Sequence, residues 1–465
     1  MSSRLHTSHA AMGYRPCRLI VACAGLVLSG VAAGFVNPGP AAAAAAGPPP
    51  VWYAATQPAR AFSEEPAVAC AAGGADCAAI GTGTTCAKLV GAVCVTQSSF
   101  NVAEYSRDGG ATWAGGTVPT AANGQFIQLA SVSCSRVTKG RTSCAAWALL
   151  TQEDQQGPSA QVSYFSADGG VTWSVGSPPA AIDQDAWQSP VLSCYEVNLE
   201  VDCAGAPASL GVEYSTDGGA SWAPSVYHQS PAFGALAAQD FSCAVSRSQM
   251  DCAAVGYVFD ATTKKPVDTV WYSTDGGKSW APGKLAQREG ELNTVSCVAA
   301  KGQVRCAALG TETTGGITAN VAVYSVDGGR SWSTSAFPAH TELPSPWGNV
   351  SCAVGRSGVD CAASGSALLF SGNGGASWLP AEDPNRAGGD IACLPSSPGP
   401  TCYVVGGKAA RSYDGGATWS ASKVARGFAV EDTMLRDNIA CISPSECVVA
   451  GPGKLFTTQP VVGAG

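Results

Sequence analysis

The sequence predicts an all-β protein: a single β-propeller of four-stranded blades, stapled by disulfides and closed by an N-terminal strand. Three observations predict this fold. A nine-residue strand–turn–strand pattern occurs seven times, cysteines recur in closely spaced pairs, and successive turns of the pattern lie 60 to 41 residues apart. That spacing is typical of one propeller blade.

The clearest copy of the repeat is Tyr-Ser-Thr-Asp-Gly-Gly-Lys-Ser-Trp at residues 272–280. The β-branched and aromatic residues before the Asp favour a strand. Asp-Gly-Gly is a turn signal, because glycine adopts positive φ without steric cost and the carboxylate accepts backbone N–H groups. The predicted structural turn residues are Asp108, Asp168, Asp217, Asp275, Asp327, Asn373 and Asp414.

This repeat resembles the Asp-box, or bacterial neuraminidase repeat, of sialidases, some xyloglucanases, sortilin-type receptors and photosystem II assembly-factor propellers. The resemblance extends over the mature chain and implies a β-propeller whose boxes face away from the active site. It implies little about function, because one fold hosts many activities. The Phe/Tyr-Arg-Ile-Pro element of sialidases is absent, and its nearest match is Pro-Ala-Arg-Ala-Phe at residues 58–62.

Each repeat has four strand-like segments, A to D. Residues 438–458 supply A, B and C segments after the seventh box, but no D segment follows them. Trp52 precedes Cys70 by 18 residues, much as Trp280 precedes Cys297 by 17, so the segment around Trp52 is predicted to be the missing D strand. This count predicts eight blades, with seven as the alternative if the last unit is only a cap.

Eighteen of the 20 cysteines lie in the mature chain and fall into close pairs. Such spacing in an exported chain predicts disulfides rather than metal ligands. In the first repeat, nested bridges Cys70–Cys94 and Cys77–Cys86 are predicted, with Cys70–Cys77 and Cys86–Cys94 as the alternative. The other predicted bridges are Cys134–Cys144, Cys194–Cys203, Cys243–Cys252, Cys297–Cys306, Cys352–Cys361, Cys393–Cys402 and Cys441–Cys447.

The N-terminus predicts export. Arg15 and Arg18 precede an apolar run over residues 19–36, and an Ala-rich tract follows, which is the pattern of a signal peptide. An uncleaved membrane anchor is the alternative. We therefore predict a signal peptide and processing region at residues 1–46, and a secreted propeller without membrane insertion at residues 47–465.

Composition and net charge limit the classes of partner and cofactor that are expected for this chain. Without the leader, 23 basic and 34 acidic residues remain, a formal charge of −11, which disfavours nucleic acid and anionic membrane surfaces as partners. No cofactor and no metal site are predicted, because the glycine pairs are already explained as turns and the mature chain contains only two histidines, His228 and His340. A monomer is predicted.

The topology sorts the loops onto two faces. The A–B turns and the boxes are predicted to lie on one face, which we call the box face. The longer B–C and D–A loops are predicted to lie on the other, which we call the long-loop face. Varied loops on a rigid scaffold usually carry function. These loops are acidic and aromatic, a combination that suits sugars. The candidate ligand-binding residues are Asp154, Asp183, Asp185, Trp187, Asp240, Tyr257, Glu291, Trp347, Asp390 and Asp437.

Three functions follow from this pattern. The first is a non-catalytic propeller that binds a glycan or an extracellular protein through the long-loop face. The second is a glycoside hydrolase of sialidase or xyloglucanase type, which rests on the resemblance alone, because no catalytic residue can be assigned. The third is a structural protein of the cell envelope.

Overall fold

A computed structural model describes most of the chain after residue 50. The predicted signal region lies outside the described part. No described helix is long and apolar enough to span a bilayer. The described residues are 51–58, 62, 66–90, 93–120, 125–137, 140–151, 160–177, 191–206, 212–228, 237–260, 262, 265–286, 288–314, 317–337, 348–356, 358–365, 367–382, 389–428, 439–451 and 453–460.

The described strands form eight sheets, and each sheet has four blade strands in the order A-B-C-D. The innermost A strand of each blade contacts the A strand of the next, and the last contacts the first. The predicted eight-bladed ring is therefore confirmed, and the seven-bladed alternative is not.

Blades 1 to 4 take their strands in chain order. Blade 1 contains β2 (Ala67–Cys70), β3 (Cys77–Val90), β4 (Val93–Ser106) and β5 (Ala114–Gly115). Blade 2 contains β6 (Phe126–Val137), β7 (Arg141–Thr151), β8 (Ala160–Ser166) and β9 (Ser174–Val175). Blade 3 contains β10 (Val191–Val197), β11 (Glu200–Ala206), β12 (Glu213–Ser215) and β13 (Ala223–Pro224). Blade 4 contains β15 (Ala237–Ser246), β16 (Gln249–Phe259), β17 (Pro266–Ser273) and β18 (Ser279–Pro282), with β14 (Val226–Tyr227) at its outer edge.

Blades 5 to 8 repeat the arrangement. Blade 5 contains β19 (Gly290–Ala300), β20 (Gln303–Thr314), β21 (Ile317–Ser325) and β22 (Ser333–Thr334). Blade 6 contains β23 (Asn349–Val354), β24 (Val359–Ser364), β25 (Leu369–Ser371) and β26 (Leu379–Pro380). Blade 7 contains β27 (Asp390–Leu394), β28 (Thr401–Val405), β29 (Ala409–Ser412) and β30 (Ser420–Ala421). Blade 8 contains β32 (Ile439–Ser443), β33 (Glu446–Gly451), β34 (Lys454–Thr457) and β1 (Val51–Ala54), with β31 (Lys423–Val424) at its outer edge.

The N-terminal strand closes the ring, as the sequence predicts. β1 pairs antiparallel with β34, the C strand of blade 8, and parallel with β31, where Trp52 lies opposite Val424. In blade 4 the same parallel pairing places Trp280 opposite Tyr227. Trp52 therefore occupies the position of a box tryptophan, although no box precedes it.

Each box is a hydrogen-bonded unit. In blade 4 the Ser273 hydroxyl donates to Asp275 Oδ1 over 2.8 Å and accepts from the Gly277 amide over 2.9 Å. Asp275 also accepts from Ser279, from the amide at 2.9 Å and from the hydroxyl at 2.5 Å. The Trp280 indole donates to the Gly277 carbonyl over 3.0 Å. The Asp is thus a turn cap, which explains why it recurs.

The second glycine of each box also sets the spacing between blades. Gly277 has φ of 84°, and a Cβ added there would lie 3.0 Å from the Cβ of Ala204 in the B strand of blade 3. Gly329 meets Ala253 of blade 4 in the same way. The recurring Cys-Ala of the B strands and the Gly-Gly of the boxes are therefore the two halves of one contact between blades.

Two further sets of bonds join neighbouring blades. Near the axis, a serine hydroxyl accepts from a cysteine amide of the next A strand, for example Ser242 from Cys297 over 3.0 Å. At the outer side of six blades, the residue two positions after the D strand pairs in parallel with the box of the next blade. These bridges include Thr56↔Thr112, Thr117↔Thr172, Ser177↔Ser221, Lys284↔Ser331, Ala336↔Ser377 and Glu382↔Thr418.

The A–B hairpins are stapled by cystines between directly opposite residues. Cα atoms of bridged cysteines are 4.0 to 4.1 Å apart. The disulfide-stapled architecture is confirmed. The described bridges beyond the first blade are Cys134–Cys144, Cys194–Cys203, Cys243–Cys252, Cys297–Cys306, Cys352–Cys361, Cys393–Cys402 and Cys441–Cys447.

The nested pairing predicted for blade 1 is wrong, because Cys70 is bonded to Cys77. The segment around Cys94 begins the C strand β4 and is not strand B, and β3 and β4 pair as a long antiparallel B–C hairpin. Cys77 lies opposite Ser106, twelve residues beyond Cys94, which is about 40 Å along a strand. Cys94 therefore cannot reach Cys70. Cys86 is disulfide-bonded, and the side chain of Cys94 lies outside the described part.

Candidate functional site

Backbone bonds define the box face. The Gly276 amide of the blade 4 box donates to the Met250 carbonyl, just after the A–B turn, over 3.0 Å. The Gly328 amide of blade 5 donates likewise to the Val304 carbonyl over 2.9 Å. Boxes and A–B turns are thus tied together at one end of the strands, which is the box face, and the described parts of the B–C and D–A connections lie at the other end.

A group of buried and half-buried charged side chains lies on the long-loop face between blades 4 and 5. We call Asp268, Arg288, Glu291 and Glu312 the Arg288 cluster. Arg288 Nε lies 3.7 Å from Asp268 Oδ2, and Arg288 Nη1 lies 3.6 Å from Glu312 Oε2. The Arg288 side chain is 10% exposed, that of Asp268 is 0% exposed and that of Glu312 is 33% exposed. The cluster therefore extends from a fully buried carboxyl group, that of Asp268, to a partly exposed one, that of Glu312.

Local backbone pairing holds the cluster in place. The Arg288 carbonyl accepts from the Asp268 amide at the start of β17 over 3.1 Å, and the Glu289 carbonyl accepts from the Thr313 amide at the end of β20 over 2.7 Å. The D–A connection is thus bonded to both blades. Glu289 of the same connection also forms an ion pair near the surface, with its Oε2 2.8 Å from Lys265 Nζ.

The electrostatics of the cluster follow from burial. Burial raises the pKa of Asp268 to about 7, which the Arg288 charge opposes and the Glu312 and Glu291 charges reinforce. Burial, and then the Glu291 charge, also raises the pKa of Tyr257. A carboxyl that binds a proton near neutrality therefore lies beside carboxylates that are more exposed.

The hydrogen bonding of the cluster is incomplete. In the described structure, both carboxylate oxygens of Asp268 and the Nε and Nη2 atoms of Arg288 are buried without a hydrogen-bond partner. Buried polar groups are normally satisfied by protein, water or ligand. Among the described residues, no group of three or more His, Cys, Asp or Glu is placed to hold a metal ion.

Two predicted site residues lie in or beside the cluster, and two others bond to neighbouring strands. Glu291 belongs to the cluster, and Tyr257 is close enough to feel its charge. Asp240 is buried, and its Oδ2 accepts from the Val295 amide of blade 5 over 2.7 Å. Asp390 is buried as well, and its Oδ1 accepts from Asn349 Nδ2 of blade 6 over 2.6 Å. These last two contacts join adjacent blades.

The remaining predicted ligand-binding residues lie outside the described part of the chain, so their positions stay predictions. They are Asp154, Asp183, Asp185, Trp187, Trp347 and Asp437. The sequence reasoning missed Arg288 and Asp268. A single arginine in a polar loop matches no sequence motif, and Asp268 cannot be told from an ordinary strand residue until its partners are known.

Residues 271–282, which span the box of blade 4, match the model of the BNR/Asp-box repeat. No curated protein sequence matches the chain.

Solved structures similar to this chain include YCF48 bound to D1 peptide, with 13% identity, a TM-score of 0.42, and coverage of 91% of this chain and 99% of that one. Sqt1 of Saccharomyces cerevisiae has 10% identity and a TM-score of 0.49, and the match covers 88% of this chain and 98% of that one. Trypanosoma rangeli sialidase in complex with sialic acid has 10% identity and a TM-score of 0.36, and the match covers 87% of this chain and 55% of that one.

Repeat, blade count and ring closure agree with one another. The chain is a β-propeller built on Asp-box repeats, as the resemblance implied, and it has the eight blades that the strand count predicted.

Proposed function

We propose that this protein is an exported, non-catalytic binding propeller whose long-loop face holds an extracellular ligand, a protein or a glycan, anchored at the Arg288 cluster. The observation that carries the proposal is the incomplete hydrogen bonding of Asp268 and Arg288, both nearly buried at that face. The many cystines fit an oxidising extracellular location, and the predicted signal peptide would deliver the chain there.

The geometry favours a ligand that offers donors and acceptors together. Arg288 is planar and has free N–H groups, so it suits paired acceptors, whereas Asp268 needs a donor. Sugar hydroxyls and polypeptide backbones supply both kinds of group. Because a buried charged pair with poor geometry costs free energy, completing its hydrogen bonds would contribute strongly to affinity.

Glycan-array and pull-down assays with the mature protein test the proposal. Arg288→Ala and the milder Glu312→Gln should each reduce binding at least tenfold. Arg330→Ala is the matched control, because Arg330 lies on the box face, where it donates to the Asp327 carbonyl at 2.9 Å and lies over the Tyr272 ring. No retained ligand, or binding that survives both cluster variants and replacement of Trp187 and Trp347 by Ala, would contradict the proposal.

A glycoside hydrolase is the second candidate, and Asp268 is the observation that favours it. A carboxyl with a pKa of about 7 beside other carboxyl groups is the pattern of a general acid paired with a base or nucleophile. Release of reducing sugar, or of the aglycone from a fluorogenic sialoside, would separate this candidate from a binding protein. Such activity should disappear in Asp268→Asn.

A further inference from the structure

Blade 1 contains a cavity of about 390 Å³ beside its two outer strands. Its walls include Pro58, Phe100, Asn101, Glu104, Gly115 and Val118. The volume lies within the usual range for small-molecule sites, about 300 to 1,000 Å³. The walls are largely apolar, and Glu104 is the one ionisable residue among the described residues that line the cavity.

Beside the cavity, blade 1 lacks one side chain that the other blades have. Gly115 lies directly opposite Glu104 in the C–D ladder, and side chains at opposite positions share one face of a sheet. A Cβ added at Gly115 would meet nothing within 4 Å. In blades 2 to 7 the same D-strand position carries Val175, Pro224, Pro282, Thr334, Pro380 and Ala421.

Glu104, which lines this space, has an unsatisfied carboxylate oxygen. Its side chain is completely buried, and Oε1 has no hydrogen-bond partner in the described structure. Oε2 accepts from Gln57 Nε2 over 3.2 Å. Gln57 Oε1 accepts from the Leu455 amide over 2.9 Å, so the amide of Gln57 is oriented with its donors towards Glu104. That arrangement supports a carboxylate but leaves half of it unpaired.

Blade 3 supplies an internal comparison. Glu213 occupies the same C-strand position, is also buried, and has an unpartnered Oε2. Its ladder partner, however, is Pro224, whose ring occupies the position that is empty beside Glu104. The pairing of a buried glutamate with an opposite glycine therefore distinguishes blade 1 from blade 3.

We propose that the blade 1 cavity is a binding site for a small organic cation, which places an ammonium group against Glu104 Oε1 and an apolar body along Phe100 and Val118. An ammonium supplies the missing donors and pairs the buried charge, which a neutral ligand does only in part. An anion would instead face an acidic group in an apolar enclosure. This site is separate from the Arg288 cluster.

Calorimetric titration of the mature protein with benzylamine tests the proposal, with benzyl alcohol and benzoate as neutral and anionic counterparts. Benzylamine should bind at least tenfold more tightly than benzyl alcohol, and benzoate should not bind. Glu104→Gln should weaken benzylamine at least tenfold. Glu213→Gln is the matched control and should bind as the wild type does.

Gly115→Leu provides a second variant that keeps the glutamate. It adds a side chain into open space, so the blade should fold normally while the cavity is filled, and benzylamine binding should be lost. A wild-type protein that takes up no benzylamine at millimolar concentration would overturn the proposal. So would equal affinity for benzylamine in the wild type and Gly115→Leu.

Discussion

The Trp52 indole meets the Tyr403 ring edge-on, with ring centroids 5.9 Å apart and planes at 78°. Tyr403 follows Cys402 in the B strand of blade 7, a position where blades 1 to 6 have an alanine facing the next box glycine, as Ala204 faces Gly277. Blade 8 has no box, so the space is filled by an aromatic ring. The contact therefore joins the first strand of the chain to the seventh blade.

Replacing Trp52 tests this closure. Trp52→Ala should cost about 3 to 5 kcal/mol of unfolding free energy, the usual range for a buried tryptophan. Trp52→Phe should be much milder, because the Trp52 indole N–H has no hydrogen-bond partner in the described structure.

Trp280→Phe is the comparison for Trp52→Phe. It removes an indole bond to the Gly277 carbonyl and should cost about 1 kcal/mol more. Denaturant melts of the variants measure both effects. Equal losses for the two Phe variants would contradict this account of the closing strand.

The box aspartates should tolerate asparagine but not alanine. In blade 6, Asn373 already occupies this position, where its Oδ1 accepts from the Ser377 amide over 2.9 Å and its Nδ2 donates to the Ser377 hydroxyl over 2.8 Å. Asp275→Asn should therefore cost less than about 1 kcal/mol, whereas Asp275→Ala leaves several donors unpaired and should cost about 1 to 3 kcal/mol. Thermal melts of both variants check this order, and an asparagine as harmful as alanine would refute it.

Stability should be greatest near pH 4 to 5. Burial raises the pKa of Glu104 and of Glu213 from the ordinary 4.5 to about 7. A raised carboxyl pKa favours the folded state below the unfolded pKa, and this stability is lost as the pH rises through about 7. Each group accounts for about 3 kcal/mol over that range.

The box aspartates determine the pH below which the folded state loses stability. Burial opposes ionisation of Asp108, but hydrogen bonds from Thr112 and Ser106 outweigh it and lower the pKa of Asp108. The stability from such boxes is present above about pH 4 and is lost as the pH falls. The double variant Glu104→Gln/Glu213→Gln should lose stability in acid as the wild type does. Between pH 5 and 8, however, its melting temperature should fall by less than that of the wild type. Parallel pH profiles of the two proteins would disprove the assignment.

Reduction should lower the melting temperature by many degrees. On the chain-entropy model each hairpin bridge adds about 2.5 kcal/mol, and the strands it joins are short and rich in alanine. Non-reducing peptide mapping should recover Cys70–Cys77 and Cys243–Cys252. A peptide linking Cys70 to Cys94, or a melting temperature unchanged by full reduction, would contradict the structure.

The ring could be predicted from the sequence because the motifs that define its blades are local and repeated. Box spacing fixes the blades, and the interval from Trp52 to Cys70 identifies the closing strand. The prediction for blade 1 was wrong because Val93-Cys94-Val95 resembles a B strand, whereas the B–C hairpin is so long that this segment begins the C strand.

The candidate sites depend on contacts between blades, which no single repeat reveals. Asp240 resembles a loop acid in the sequence but bonds to the Val295 amide across a blade boundary. Arg288 gains its partners through backbone pairing with two blades. Glu104 is significant only because the strand register places it opposite Gly115.

The closing strand also imposes an order on synthesis. Val51–Ala54 is made before every blade, yet its antiparallel partner, Lys454–Thr457, is made after all of them. Blades 1 to 7 have all their strands contiguous in sequence and can pair as they emerge, whereas the eighth must wait for the end of the chain. A ribosome that stops early therefore leaves a row of stapled blades with an open seam and an unpaired β-strand at the N-terminus, a substrate for proteases rather than a shortened ring.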